Sequence, residues 1–308
     1  MELTAKPDFE EAKTRWRHFW NGEVYKRPLV LATVPKEGMQ SFNWLPERYY
    51  LACTGQHQTI LDHIDRHLET TDYLGEAMPA FPPNYGPDQF AAFLGAEFKF
   101  SPDSHETNWV DPIVDDWDEF LPIEFNEENP VWQGALSLMR KLAEHGRGRY
   151  LTRCLDAHSH ADTLLALRGG ERFSMDFLEN PEQIERAMEQ VRPLYPLIFN
   201  AMYEAGEMGG EKGSAHLIWS DGKAAIIQCD YIIMIGSTHF RQFILPAIEE
   251  EAEFLDHTIF HLDGVGAFRH LDDLLGIKKL GMIQLVPGAG GANAPAHTYV
   301  DLLKKCLA

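Results

Sequence analysis

The chain has 308 residues, 44% hydrophobic and 24% charged, with 24 glycines and 18 prolines; this is an ordinary globular composition, long enough to bury a full core. Its 47 acidic against 27 basic residues give a formal charge of −20, which repels nucleic acid and anionic membranes and argues against a nucleic-acid module. No apolar run approaches the roughly 20 residues of a membrane helix, and the start, MELTAKPDFEEAK, is charged, which argues against secretion and membrane insertion.

In chain order, DFEEAKTRWRHFWNGE spaces Phe9, Trp16, Phe19 and Trp20 as one face of a helix. RPLVLATVP, bounded by Pro28 and Pro35, reads as a buried strand, and a helix is expected from Pro46 to about Thr70. TDYLGEAMPAF is the next strand with its exit loop, followed by an insertion of hairpins and loops around 81–128. VWQGALSLMRKLAEHG is a helix closed by Gly146, YLTRCLDAH a strand, and SHADTLLALRGG a helix with Ser159 placed to cap it. A long helix starts after Asn180-Pro181 and runs to EAGEMGGEKGS. AHLIWSD, HTIFHLDG and KLGMIQLVPG are further strands separated by helices, and YVDLLKKCLA is a last amphipathic helix.

Strands alternating with helices predict parallel strands and crossover helices, in one domain over residues 1–308. In such a sheet the carboxyl ends of the strands line the site. Those ends carry Glu76; Asp156, His158 and His160; Trp219, Ser220 and Asp221; His261 and Asp263; and Gln284. Alternation along a strand points His261 and Asp263 the same way. Imidazole plus carboxylate suits zinc, a general base with its orienting partner, or a strand-end histidine beside a helix-capping Asp263. LDAHSHAD gathers Asp156, His158, His160 and Asp162, either as ligands for a substrate or metal or as loop-backbone partners, with Asp162 solvated on its helix. VPGAGGANAP lacks the lysine of a phosphate loop and reads as a lid. Tyr85 and Trp219 read as core or pocket wall, and the run YIIMIG as an apolar segment without chemistry. The cysteines, Cys53, Cys154, Cys229 and Cys306, lack CxxC spacing, as expected of reduced thiols in a cytoplasmic protein.

Three segments, AMPAFPPNYGPDQFAAFLG, LDAHSHADTLLALRGGERFSMDFLENPE and the stretch from QCDYIIMIG through TIFHLDGVGAFRHLDD to LVPGAGG, resemble the uroporphyrinogen decarboxylase superfamily. The resemblance is closest to a bacterial branch related to the corrinoid-linked methyltransferases. It implies a (β/α)₈ TIM-type barrel with the site at its carboxyl-terminal end. About six of eight strands are legible, so the resemblance also implies a C-terminally truncated barrel with unpaired edges and a tendency to self-associate as a homo-oligomer.

Two chemistries follow from the resemblance. Decarboxylases of this kind use arginines after the first strand, where this chain has LATVPKEGM, and an aspartate, near whose place Glu76 stands. The methyltransferases hold zinc through His-x-Cys and a later cysteine; His261 matches the histidine and Asp263 replaces the cysteine. The leading expectation is a metal-assisted, corrinoid-linked methyltransferase acting on a small molecule. In it His261 and Asp263 are the metal and catalytic residues, a partner protein carries the corrinoid, and Asp156, His158, His160, Trp219, Gln284 and Tyr85 surround the substrate. The alternatives are a cofactor-independent decarboxylase using Glu76 and His261, and a catalytically silent corrinoid- or tetrapyrrole-binding protein.

Overall fold

The computed structural model describes residues 2–43, 45, 47–101, 104–210, 212–215, 217–286, 288 and 299–307. Pro46 and most of the glycine-rich stretch after Val286, read above as a helix start and a lid, lie outside them. Among the described residues, the strands are β1 Leu31–Pro35, β2 Thr71–Gly75, β3 Ala80–Phe81, β4 Phe98–Ser101, β5 Ser104–Val110, β6 Leu151–Arg153, β7 Gly213–Ala215, β8 Ile218–Trp219, β9 Ala224–Gln228, β10 His257–Asp263 and β11 Leu280–Val286. Helices separate most of them, so the chain is mixed α/β.

Six strands pair in parallel, in two small sheets: β3-β6-β7, with β8 added antiparallel, and β9-β10-β11. A parallel bridge from Ala157 to Ile227 brings the segment after β6 against β9. These pairings make sheets of two to four strands. The six parallel strands differ from those expected. β1 pairs antiparallel with β2, and its residues are alternately half-buried and exposed, as a strand solvated on one face allows. The strand not foreseen is β9.

Two predicted helices are broken for reasons visible in the sequence. The segment from residue 47 to Thr70 forms Arg48–Cys53 and His57–Thr70. Gly55 takes φ +72° between them. The N–H of Gly55 donates to Ala52 O and that of Gln56 to Leu51 O, the paired bonds that close a helix with a left-handed glycine. Likewise Pro193, which has no N–H to donate, separates Pro181–Val191 from Leu194–Ala205.

The N-terminal helix Phe9–Trp20 packs Phe9, Ala12 and Trp16 into a core with Ala80, Leu151, Ala224 and Ile259. The first three of these open β3, β6 and β9. Trp16 Nε1 donates to Glu76 O at 2.9 Å and Trp20 Nε1 to Trp219 O at 2.9 Å. Full burial of an aromatic such as Trp16 contributes about 3 kcal/mol. With this helix packed at the amino ends of the strands, a cavity opens beside their carboxyl ends. The insertion contributes the β4–β5 hairpin and buries Phe90, Phe93, Val110 and Trp117 in the main core.

Candidate functional site

The middle of β10 sets the site. Phe260 and Leu262 are fully buried on one side of the strand, while His261 and Asp263 between and beyond them stay partly open on the other. In register, His261 lies between Gln228 of β9 and Gln284 of β11, and neighbours in a parallel sheet project to the same side. Gln284 Oε1 is 2.7 Å from His261 Nδ1. A carbonyl oxygen there requires the proton on Nδ1, which leaves the Nε2 lone pair for a ligand. Gln228 Nε2 donates to Asp156 Oδ1 at 2.8 Å. Asp156, Gln228, His261 and Gln284 thus form a row along one wall of a cavity of about 510 Å³.

Beside this row, Asp230, His261 and Asp263 bring one donor atom each within 4.8 Å of one another. Asp230 opens a short turn, Asp230–Met234, held by the Asp162 carboxylate, which accepts from the N–H groups of Asp230 and Tyr231 at 2.9 and 3.0 Å. Asp162 is buried, not solvated as its helical position suggested. Burial opposes its charge, but His158 and those two N–H donors hold its carboxyl below the usual range. His158 sits 3.3 Å from Asp162 and 3.8 Å from Asp230. Burial opposes its charge as well, yet the Asp162 carboxylate and the charges of Asp156 and Asp230 raise it to about 9. Asp230 is pushed up to about 6, by burial and then by the negative charges of Asp162 and Asp263.

Asp263 Oδ1 is buried without a hydrogen-bond partner among the described residues. A carboxylate oxygen left so is costly unless something else meets it. Gly264, at φ +77°, turns the chain out immediately after; a Cβ there would come 3.2 Å from Ile233.

The cavity has a basic part. Arg48, from the helix Arg48–Cys53, lies 4.1 Å over the Tyr49 ring and donates to its hydroxyl. Arg153 ends β6, and both arginines are among the residues that line the cavity. Burial, with a smaller push from the Arg48 charge, holds Arg153 below its usual pKa; Asp156 opposes this.

Of the residues expected at the site, Asp156, His158, His261 and Gln284 line the cavity, and Asp263 joins them through the three-donor cluster. The other four lie outside its wall. Glu76 is fully buried in an arginine clasp: Oε1 accepts from Arg15 and Arg27, and Oε2 from Arg27 and the Val30 N–H. Burial opposes its charge, but these donors keep it below the usual carboxylate range. Trp219 is buried under Lys13 and Arg17 in the N-terminal core. Tyr85 is buried with its hydroxyl 3.5 Å from His57 Nε2. His160, at φ +39°, accepts the Ala161 N–H on Nδ1, and burial lowers it to about 4.

Ser159 does not cap its helix; it donates to Glu251. Ser220 caps the turn at Gly222, and Asp221 lies 3.5 Å from His257. Burial pushes the Cys154 thiol up to about 12, as befits an inert core cysteine.

Sequence reasoning missed Asp230, Gln228, Arg48 and Arg153. The signal for the first two was present: AAIIQCD is an apolar run ending in polar residues, the same signature that singled out His261. The two arginines carry no pattern: Arg48 is a lone arginine on a short helix and Arg153 a lone arginine in a strand.

A scan against protein-family models gives no match, and a search of curated proteins gives none. Among solved structures, a methyltransferase from Methanosarcina mazei matches with a TM-score of 0.57 at 15% identity, over 89% of this chain and 75% of that one. At that identity the likeness shows the fold alone. No helix among the described residues is long and apolar enough to cross a membrane.

Proposed function

We propose that this chain is a methyltransferase-like enzyme, related to the (β/α)₈ barrels of the uroporphyrinogen decarboxylase superfamily. In this reading Asp230, His261 and Asp263 hold a divalent metal, zinc by donor type, and a small molecule in the adjoining cavity exchanges a methyl group with a corrinoid carried by a partner protein. The observation that carries the reading is the three-donor cluster, two of whose members, Asp230 and His261, line the cavity. The fold likeness and the segments quoted above support methyl transfer over other barrel chemistries.

The residues present fit a cation. Asp263 Oδ1 is an orphaned buried acceptor, and three carboxylates, Asp162, Asp230 and Asp263, crowd around two histidines. A tetrahedral zinc site needs donors about 3.4 Å apart. The cluster, spanning up to 4.8 Å, has to tighten, and the half-exposed Asp230 side chain has room to do so. One imidazole and two carboxylates form a harder set than the thiolate sites of the resembled methyltransferases, so zinc is held less tightly.

When bound, zinc supplies Lewis-acid activation of the small molecule. The chain's own part is to orient. Gln284 fixes the His261 tautomer, Asp162 and His158 hold the Asp230 turn, and the Asp156–Gln228 pair stiffens the wall. A cofactor-independent decarboxylase relying on Glu76 is less well supported, because the arginine clasp keeps that carboxylate ionised outside the cavity.

The test is metal analysis of protein purified without chelator and then equilibrated with zinc. The wild type is expected to carry one zinc per chain, and His261→Ala to lose it while melting like the wild type. Absence of stoichiometric metal in the wild type, or its full retention in His261→Ala, overturns the proposal.

A further inference from the structure

A hydrogen-bond chain on the cavity wall takes no part in the proposed metal site. His67, from the helix His57–Thr70, and Tyr73 of β2 are among the residues that line the cavity. His67 Nδ1 lies 3.0 Å from Phe42 O, and His67 Nε2 lies 3.1 Å from the Tyr73 hydroxyl. A carbonyl oxygen only accepts, so Nδ1 carries the proton. In the neutral ring Nε2 is then a lone pair, and the Tyr73 O–H donates to it. Burial holds His67 below its usual pKa, against the Phe42 carbonyl, and burial alone pushes the Tyr73 hydroxyl up. Both groups therefore stay uncharged near neutral pH. With its proton committed to His67, the Tyr73 oxygen offers only lone pairs to anything else.

The strand pairing adds a second group. Thr33 of β1 stands directly opposite Tyr73 in the antiparallel register and lines the same cavity; residues so paired project to the same side. The threonine hydroxyl both donates and accepts. A ligand hydroxyl answers this pair best, since it donates to the Tyr73 oxygen and accepts from Thr33. An ether oxygen has no proton to give. An ammonium finds no counter-charge, because no charged group shifts either Tyr73 or His67, and a cation buried unpaired is costly. Phe81, whose ring meets that of His67 edge-on at 6.1 Å, adds apolar wall for the body of the ligand. A cavity of about 510 Å³ is the size that takes one small molecule.

We propose that Tyr73, locked as an acceptor by His67, and Thr33 select a small neutral molecule bearing a hydroxyl group, which they hold on strands other than those that carry the Asp230–His261–Asp263 cluster. This inference rests on the reading that the cavity is the reaction site, and it names a group the substrate carries besides the one that meets the metal.

Isothermal titration calorimetry of the full chain tests it, with benzyl alcohol and cyclohexanol as probes, their methyl ethers as matched compounds without a donor, and benzylamine as a cation. The wild type is expected to bind at least one alcohol about 3- to 10-fold more tightly than its ether, the range for one neutral hydrogen bond. Tyr73→Phe should remove that preference and leave the ether's affinity in place. His67→Leu should tighten the ether by a similar factor, because the freed Tyr73 O–H then has an oxygen to donate to; a merely structural His67 would weaken both compounds alike. If His67→Leu fails to fold, Tyr73→Phe decides alone. Failure of both alcohols to bind at millimolar concentration, equal binding of alcohol and ether, or tighter binding of benzylamine overturns the inference. So does a preference that survives Tyr73→Phe, or an ether left unimproved in folded His67→Leu. The same titrations in His261→Ala separate the two readings. A preference that persists there without zinc belongs to the wall, and it stands even if the wild type binds no metal. Its loss there assigns the hydroxyl to the metal and overturns the inference. Stoichiometric zinc in a wild type without the preference sinks the inference and leaves the metal-assisted function standing.

Discussion

Replacing Gln284 by methionine tests the site through a cavity-wall residue whose part in the proposed reading is to orient His261, not to ligate the metal. Gln284 Oε1 lies 2.7 Å from His261 Nδ1, and methionine fills similar volume with a much poorer acceptor. Without that acceptor the imidazole can place its proton on Nε2, and the lone pair that should meet the metal is lost in that tautomer. Loss of a partner that orients a metal-ligating histidine typically weakens metal affinity 10- to 100-fold, equivalent to about 1.4–2.7 kcal/mol. The backbone pairing of β10 with β11 is untouched by the change, so the melting temperature should move little. Competition for zinc against a chromophoric chelator reads the affinity, and Gln284→Glu, which keeps an acceptor and adds charge, should bind at least as tightly as the wild type. Wild-type affinity in Gln284→Met, or an equal loss in both variants, refutes the claim that this hydrogen bond sets the tautomer.

Two predictions concern stability. Glu251 is buried, accepts from Ser159 and leaves Oε2 without a partner among the described residues; burial, then the Asp162 charge, raises it from 4.5 to about 8. A raised carboxyl contributes stability that is complete below its unfolded value of about 4.3 and is lost as pH rises through about 8. Glu251→Gln should therefore gain on the wild type by an amount on the order of 3–5 kcal/mol between pH 4 and pH 9, read by urea melts at both ends; a pH-independent difference would show that Glu251 is not buried as an acid. Glu76→Gln removes a carboxylate from the Arg15–Arg27 clasp and should lower the melting temperature by a few degrees, with zinc content unchanged. A loss of metal in that variant, with the fold intact, would return Glu76 to the site.

Much of the molecule follows from local pattern. The apolar run ahead of His261 and Asp263, the helix around Trp16 and the helix ending at Gly146 are legible because burial imposes a period of two on strands and about 3.6 on helices. His-x-Asp at a strand end is enough to propose a site, and alternation alone places both side chains on one face. Even the breaks at Gly55 and Pro193 are written in residue chemistry, although the periodicity runs through them.

What tertiary structure decided is which polar residues meet. Glu76 and His261 look alike in the sequence, each emerging from an apolar run. One ends in an arginine clasp because Arg15 and Arg27 approach it from elsewhere in the chain; the other opens on a cavity between two glutamines in register. Asp230 became the third donor because Asp162, 68 residues earlier, holds its turn by backbone N–H groups. Arg48 and Arg153 come to line one cavity only because the fold brings a helix and a strand end to it from distant parts of the chain. Periodicity records which way a residue faces, and facing is a local property. The partner that fixes its charge or makes it a ligand arrives through space, and no spacing along the chain encodes it.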